Sequence, residues 1–421
     1  MALYPASMKR PLIAAALVIA FAASAVWAAP AHAATKTDIA LEQRTKDPSP
    51  GSTLVLVAKL TAAGKPLPGR SVSLHSGTAV LAVADTNSGG EATFKVEATG
   101  NQTFEARFGA TAPGDITAYL PSTSAPLAVV LGPTVKLKLT SPLRAGRKVL
   151  GIPGVGVRVT GRATPYVAGA TVSVRVTRHG RVVKRKSAAV AKSGSGGRFS
   201  LRVKVPKRGK YSVSAVQAAT ASLGSGASRA KRLFIVRPNA GPGSSGTAVR
   251  ALQRRMKALG YLTPVSGSFG ASTARAVLAF RKVFGMSRLM VANRAVFKRL
   301  AKGGGSYKVR YPKAGRHAEF DWSRQVLVLA RGSKPVKVLP ASSGKPSTPT
   351  VFGKFHFYRK SPGYNEKGMY YSNYFVGGYA IHGYVDVPVY PASHGCIRIP
   401  IPSAISVYRW IRLGNAMYVY K

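Results

Sequence analysis

Twice in this chain, short runs that alternate apolar and polar residues recur at near-regular spacing with glycine- and proline-rich turns between them. A period of two buries one face of a strand and cannot bury one face of a helix. The first copy runs through Leu54-Val55-Leu56-Val57, Ser71-Val72-Ser73-Leu74, Ala92-Thr93-Phe94-Lys95-Val96 and Phe104-Glu105-Ala106-Arg107-Phe108, with Gly64-Lys65-Pro66-Leu67-Pro68-Gly69 and Asn87-Ser88-Gly89-Gly90 as turns. The second runs through Val155-Gly156-Val157-Arg158-Val159, Thr171-Val172-Ser173-Val174-Arg175-Val176, Phe199-Ser200-Leu201-Arg202-Val203 and Tyr211-Ser212-Val213-Ser214-Ala215-Val216. Short alternating strands punctuated in this way predict two all-β sandwiches.

Both stretches, 34–132 and 133–238, resemble bacterial immunoglobulin-like domains. The resemblance implies spacers or adhesive modules, and spacer is the preferred reading, because a fold of this kind assigns no function by itself. With 421 residues, the chain has room for further domains behind them.

The start of the chain carries Lys9 and Arg10, an apolar run from Pro11 to Ala29, and the small-x-small site Ala31-His32-Ala33. Residues 1–33 therefore read as a secretory signal peptide, tidier still if translation begins at Met8. The run approaches the roughly 20 residues of a bilayer span, so an uncleaved membrane anchor is the alternative. Either way the domains are expected in the cell wall or periplasmic space.

Export changes the meaning of the cysteine count, since secreted chains that use cysteine for stability have it in pairs. This chain has one, Cys396, and a lone thiol in an oxidising compartment calls for a use or for burial. Charge is equally lopsided: 63 Lys and Arg against 12 Asp and Glu give +51, and no acidic residue occurs between Asp115 and Glu319. Such a field attracts polyanions without choosing among them. With an export signal, wall polymers and anionic lipid are the partners expected of the basic middle region, a merely solubilising surface is the alternative, and no specific nucleic acid is expected.

Beyond Gly241-Pro242-Gly243-Ser244-Ser245-Gly246 the period changes. Val249, Leu252, Met256 and Leu259 fall at helical spacing up to Gly260, a second helix follows Ser272-Thr273 with Val277, Leu278, Phe280 and Val283, and a third lies near Asn293 to Leu300. Gly246, Leu252-Gln253, Leu259-Gly260-Tyr261, Gly267, Phe269-Gly270, Thr273, Ala276-Val277 and Phe280 resemble the three-helix peptidoglycan-binding domain, over 240–302. The resemblance implies binding to wall glycan and stem peptides. Arg281 stands where that family often has Gln, and Ser266 where Asp commonly precedes the Gly. The run Gly303-Gly304-Gly305-Ser306 reads as a flexible joint to the last domain.

From Tyr307 acidic residues return and strand signals dominate: Gln325–Ala330, Val336–Leu339, Lys354–Tyr358, Tyr379–His382 and Tyr418–Tyr420, with one helix near Ser403 to Arg412. Acyl transfer by a thiol needs a base within hydrogen-bond reach, because a free cysteine is only a few per cent thiolate at neutral pH. Of the seven histidines, His382 and His394 lie near Cys396, and none follows it. That order excludes the papain-like arrangement of Cys first and His far downstream.

Ile381-His382-Gly383 and Ser393-His394-Gly395-Cys396-Ile397-Arg398, with Ser347-Thr348-Pro349-Thr350, Gly353-Lys354-Phe355 and Met369-Tyr370-Tyr371, resemble the L,D-transpeptidase catalytic domain over 307–421. The resemblance implies a mostly-β domain with Cys396 as nucleophile and His382 as the base that takes and returns its proton. It implies the Gly383 carbonyl as orienter of the imidazole. Backbone N–H groups at Gly395 and Cys396, with His394 and Ser393 beside them, would form the oxyanion and orienting group. Arg398 would meet a substrate carboxylate, and Met369, Tyr371 and Tyr374 would wall the pocket.

The implied reaction joins the third residues of two peptidoglycan stem peptides through a cysteine thioester, in a monomer that needs no metal or organic cofactor. The loop from Gly383 to Ala392 is shorter than is usual in that family, which leaves donor and acceptor preference open. Three alternatives remain at this level: an L,D-carboxypeptidase, an enzyme attaching proteins to the wall, and a non-catalytic wall-binding scaffold.

Overall fold

The computed structural model describes residues 34–110, 118–220 and 223–421. The expected signal peptide, 1–33, lies outside the described residues. The chain is multidomain and mostly β, with four helices among the described residues.

The first sandwich faces one sheet, built on Thr37–Gln43, Thr53–Ala62 and Glu91–Glu97, against a second, built on Ala79–Asp85, Ser71–Ser76 and Gln102–Phe108. The alternation read from the sequence sets its core, with Leu54, Leu56, Val72, Leu74, Phe94, Phe104 and Ala106 buried.

In the second sandwich, one sheet runs Thr134–Thr140, Val157–Thr164, Gly196–Val203, Ala191–Ser193. The other is centred on Lys231–Ile235, Gly209–Gln217 and Thr171–Arg178, with Arg181–Ala189 at its edge. Val135, Val159, Val174, Phe199, Leu201 and Val213 interdigitate between them.

Three helices follow: α1 (Thr247–Ala258), α2 (Ala271–Val283) and α3 (Arg294–Ala301). Asn293 caps α3 through its side-chain oxygen, which accepts from the N–H groups of Ala295 and Val296. Val249, Leu252, Met256, Val277, Phe280, Phe297 and Leu300 form the helical core. That core does not stop at the domain edge. Leu143, Leu150 and Ile152 of the second sandwich and Val326, Val328 and Val338 of the last domain belong to the same buried cluster.

The glycine run after α3 is correspondingly held rather than free, which corrects the expectation of a flexible joint. The Arg255 guanidinium donates to the Gly303 carbonyl at 2.6 Å, and the Tyr261 hydroxyl donates to the Gly305 carbonyl at 3.1 Å. A Cβ at Gly305, whose φ is +112°, would lie 2.8 Å from the Phe280 ring and 2.9 Å from Leu259, so glycine here permits close packing. Just beyond, the buried Glu319 carboxylate accepts from the N–H groups of Arg310 and Tyr311, from Tyr420 and from His317, pinning the connector to the last domain.

The last domain has two sheets. One runs Lys334–Pro340, Val326–Arg331, Arg316–Asp321, Ala416–Tyr420, Gly353–His356. The other runs Arg359–Tyr364, Tyr370–Val376, Tyr379–Tyr384, Ile397–Pro400, with helix α4 (Ile401–Trp410) packed on it. Phe320, Leu327, Phe357, Phe375, Ile381, Ile397 and Val407 fill the space between. The sequence pattern finds the first sheet's Val326–Arg331 and Lys334–Pro340 but misses Arg316–Asp321, Arg359–Tyr364 and Ile397–Pro400.

Candidate active site

The register of one strand pair builds the site. Tyr379–Tyr384 and Ile397–Pro400 run parallel, with Ile381 opposite Ile397 and His382 opposite Arg398. The two motifs, separated by a loop in sequence, thereby become neighbours across one strand spacing, roughly 4.8 Å. Cys396 enters the second strand one residue before that pairing begins. His382, Cys396, His394 and Arg398 line one cavity of about 560 Å³, together with Lys367, Met369, Gly378, Tyr379 and Tyr384.

The imidazole of His382 is buried at 3% exposure, and its Nδ1 lies 2.9 Å from the Gly383 carbonyl. A carbonyl only accepts, so Nδ1 carries the proton and Nε2 of the neutral ring is left as the acceptor. Burial pushes this histidine down to about 4, and the Arg398 charge adds to that, against the opposing pull of the Gly383 carbonyl. Glycine at 383 serves packing: a Cβ there would meet Ala404 of α4 at 2.7 Å.

Burial pushes the Cys396 thiol up, and the Ala380 N–H and the charges of Arg398 and Lys367 pull it partly back. Its Sγ donates to the Gly378 carbonyl at 3.6 Å. The arrangement holds a neutral thiol beside a neutral imidazole, which suits a base that accepts the proton during attack.

The loop carrying the cysteine is fixed by hydroxyls. Ser393 donates to the Cys396 carbonyl and accepts from the Gly395 N–H at 3.1 Å. That N–H is therefore engaged, and the expectation that it serves an oxyanion is corrected. Cys396 and the exposed His394 line the cavity. Thr348 donates to the Ser393 carbonyl at 3.0 Å and Thr350 to the Gly395 carbonyl at 2.7 Å, while Thr350 also accepts from the Gly344 N–H at 2.9 Å. The threonine-proline turn thus braces the loop, a role that its sequence did not disclose. Gly395 has φ +112°, and a Cβ there would sit 2.3 Å from the Tyr379 ring.

Arg398 stacks its guanidinium over Tyr384 at 4.1 Å and faces the exposed Asp386 carboxylate at 3.8 Å. Met369 lines the cavity as expected, but Tyr371 and Tyr374 do not. Tyr371 packs edge-on against Tyr408 of α4, and Tyr374 is buried beside Met369 and Ala380 under the Arg359 guanidinium. Both lie on a strand whose pleat turns these rings into packing, and the sequence had no means of showing which face met the cavity. In their place the cavity takes Tyr379, from the run that leads into His382, and Tyr384 and Lys367, which the motifs did not single out. Lys367 sits at the tip of a turn closed by the Asn365 side chain, which accepts from the N–H groups of Lys367 and Met369. Among the described residues no group of three or more His, Cys, Asp or Glu side chains is placed to hold a metal ion.

Residues 315–419 match the L,D-transpeptidase catalytic domain, and residues 245–288 match a peptidoglycan binding domain. An L,D-transpeptidase from Xylanimonas cellulosilytica is 30% identical over 44% of this chain and 98% of its own, with a TM-score of 0.41. One from Stackebrandtia nassauensis is 19% identical over 44% and 96%, with a TM-score of 0.28. One from Mycobacterium tuberculosis is 11% identical over 65% and 95%, with a TM-score of 0.24. No curated protein matches the chain. Family membership rests on the matched catalytic domain and on the identity with the Xylanimonas protein, not on the superpositions. On that footing the chain belongs to the L,D-transpeptidase family and carries a peptidoglycan-binding domain ahead of its catalytic domain.

Proposed function

We propose that this enzyme cross-links peptidoglycan in the cell wall or periplasmic space, joining the third residues of two stem peptides through a thioester on Cys396. The observation that carries the reading is the pair of neutral groups in one cavity, a buried imidazole whose Nδ1 is tied to Gly383 and a thiol that burial keeps protonated.

The Cys396 sulfur attacks the carbonyl carbon of the third residue of a donor tetrapeptide as its proton passes to Nε2 of His382. The carbon–nitrogen bond to the terminal D-Ala breaks, the imidazolium returns the proton to that nitrogen, and a thioester remains. The oxyanion formed on the way is met by the Cys396 N–H and His394, where one donor is worth about 3 kcal/mol. Arg398 takes a stem carboxylate in fork geometry. A side-chain amine of a second stem then attacks the thioester and gives a proton to His382, the carbon–sulfur bond breaks, and the imidazolium passes that proton to the departing sulfur, restoring the thiol. Transfer outruns hydrolysis where the acceptor is held and water is kept out.

The helical domain binds the wall, and the two sandwiches act as spacers. Incubation with purified disaccharide tetrapeptides followed by mass analysis tests the reading: cross-linked dimers with loss of D-Ala are expected. Their absence, or their persistence in Cys396→Ala, overturns it.

A further inference from the structure

In the four-stranded sheet of the second sandwich, Val135, Leu137, Leu139, Val157, Val159, Phe199 and Leu201 are buried, and the residues between them are solvent-facing. The register sets cations against cations on that outer face. Lys136 stands opposite Arg162, and Arg162 opposite Arg198, so three positive charges form a row across three adjacent strands. Arg158 stands opposite Arg202. At roughly 4.8 Å between strands, such a row is only about 10 Å long.

Like charges directly opposite one another destabilise a sheet. Nothing nearby relieves them: no Asp or Glu occurs between Asp115 and Glu319, and among the described residues none of these five cations has a carboxylate partner. The face is also concave. A trough of about 860 Å³ is lined by Lys136, Lys138, Arg158, Arg162 and Arg198, with the hydroxyls of Thr160 and Ser200 between them. Lys138 also lines a second trough of about 460 Å³ that carries Arg144, Arg147, Lys148, Lys231 and Arg232. Lys138 is shared by the two troughs, so the cations of the first lead on to those of the second. A single small anion would neutralise two of them. A chain with one charge per repeat neutralises the row.

We infer that this face is a binding site for a linear phosphodiester polymer of the cell envelope. The arginines present forks that match phosphate oxygens, and Thr160 and Ser200 add hydroxyl donors. The choice of an envelope source rests on the proposed wall function. Binding and turnover are read in separate assays, so failure of one leaves the other standing.

The full chain is titrated with poly(glycerol phosphate) at several salt concentrations. The five cations that line the first trough predict a slope of log K on log salt of about −3.5, or about a hundredfold loss of affinity between 50 and 200 mM. Lys136→Gln with Arg162→Gln and Arg198→Gln is expected to bring the slope to about −1.4 and to weaken binding at least tenfold. Turnover of soluble muropeptides is expected to be unchanged. A control with the same loss of charge, Arg181→Gln with Lys184→Gln and Arg185→Gln on the exposed edge strand, is expected to bind as the parent does. The polymer should raise the melting temperature of the parent and of this control, but not of the first variant, which itself should melt no lower than the parent. Equal weakening by both triple variants would show a diffuse field and overturn the site. Tighter binding of double-stranded DNA of matched charge would overturn the envelope source.

Discussion

The protonation state of the resting thiol is the sharpest consequence of the geometry. A thiol held above its ordinary value of about 8.5 and an imidazole held at about 4 differ so far that moving the proton from sulfur to Nε2 costs at least about 6 kcal/mol. Fewer than one molecule in about ten thousand then rests as a thiolate–imidazolium pair. Alkylation of Cys396 by iodoacetamide, followed by intact mass between pH 5 and 10, should accelerate about tenfold per pH unit with no plateau below pH 8.5. Turnover should behave otherwise, because His382 removes the proton during attack. It should be level from about pH 5.5 upward and fall as His382 becomes charged near pH 4. His382→Gln should leave the slope of alkylation intact while lowering turnover by about 10² to 10⁴. A fast, pH-independent alkylation rate between pH 5 and 8 would establish a preformed ion pair and refute the reasoning.

Gly395→Ala forces a Cβ to within 2.3 Å of the Tyr379 ring at a φ of +112°, two penalties of about 1 to 3 kcal/mol each. A loss of kcat/KM of at least thirtyfold is expected in steady-state assays, and a wild-type rate would show that the loop yields freely. Thr350→Val keeps the shape but leaves the buried Gly395 carbonyl and Gly344 N–H unpaired, so a stability loss of about 2 to 4 kcal/mol is expected by denaturant titration, with no change for Thr348→Val plus Thr350→Val beyond one further bond. The Lys282 ammonium, 3% exposed, is pushed down to about 7 by burial and by Arg288. The unfolded chain keeps that proton up to about pH 10.4, so the folded state, which sheds it near pH 7, should lose stability between about pH 7 and 10 as the pH falls, by up to about 4 kcal/mol. Lys282→Met should flatten that dependence, and parallel pH curves for the two proteins would refute the burial argument.

What the sequence disclosed and what it hid divide along contact distance. The alternation around Val172, Phe199 and Val213 specified strands and their buried faces, because a period of two is a local property. Val249, Leu252 and Met256 specified a helix for the same reason. Within the site, Cys396, His382, His394 and Arg398 were legible because they sit in two contiguous motifs. Lys367 and Tyr384 were not, since a turn tip and a strand end reach the cavity only through tertiary folding. Tyr371 and Tyr374 were misread because sequence gives the alternation of a strand but not which face meets the cavity. Gly303-Gly304-Gly305 misled in another way: composition suggested freedom, while the absence of Cβ atoms serves close packing against Phe280 and Leu259.

The most distant contacts also carry the most consequence for the catalytic loop. Lys282, in the last turn of α2, donates to the Gln325 and Ala341 carbonyls at 3.1 Å each. The Gln325 side chain donates to Ser343 Oγ at 2.9 Å and accepts from the Ser343 N–H at 2.8 Å. The Ser343 carbonyl accepts from the Ser393 N–H at 2.9 Å, and the Ser393 hydroxyl donates to the Cys396 carbonyl. A second tie runs from Arg288, just beyond α2, to the Val389 and Ser323 carbonyls, the former in the loop that follows His382. An ammonium has donors only, so α2 cannot shift by an ångström without orphaning two buried carbonyls, at about 1 to 3 kcal/mol each. A wall-binding domain on a loose tether would only raise the local concentration of enzyme. Docked through Lys282, it shares a continuous set of hydrogen bonds with the loop that bears Cys396, and Arg288 adds an exposed tie to the loop after His382, so the footing of the helical domain and the shape of the catalytic loop are one structural property.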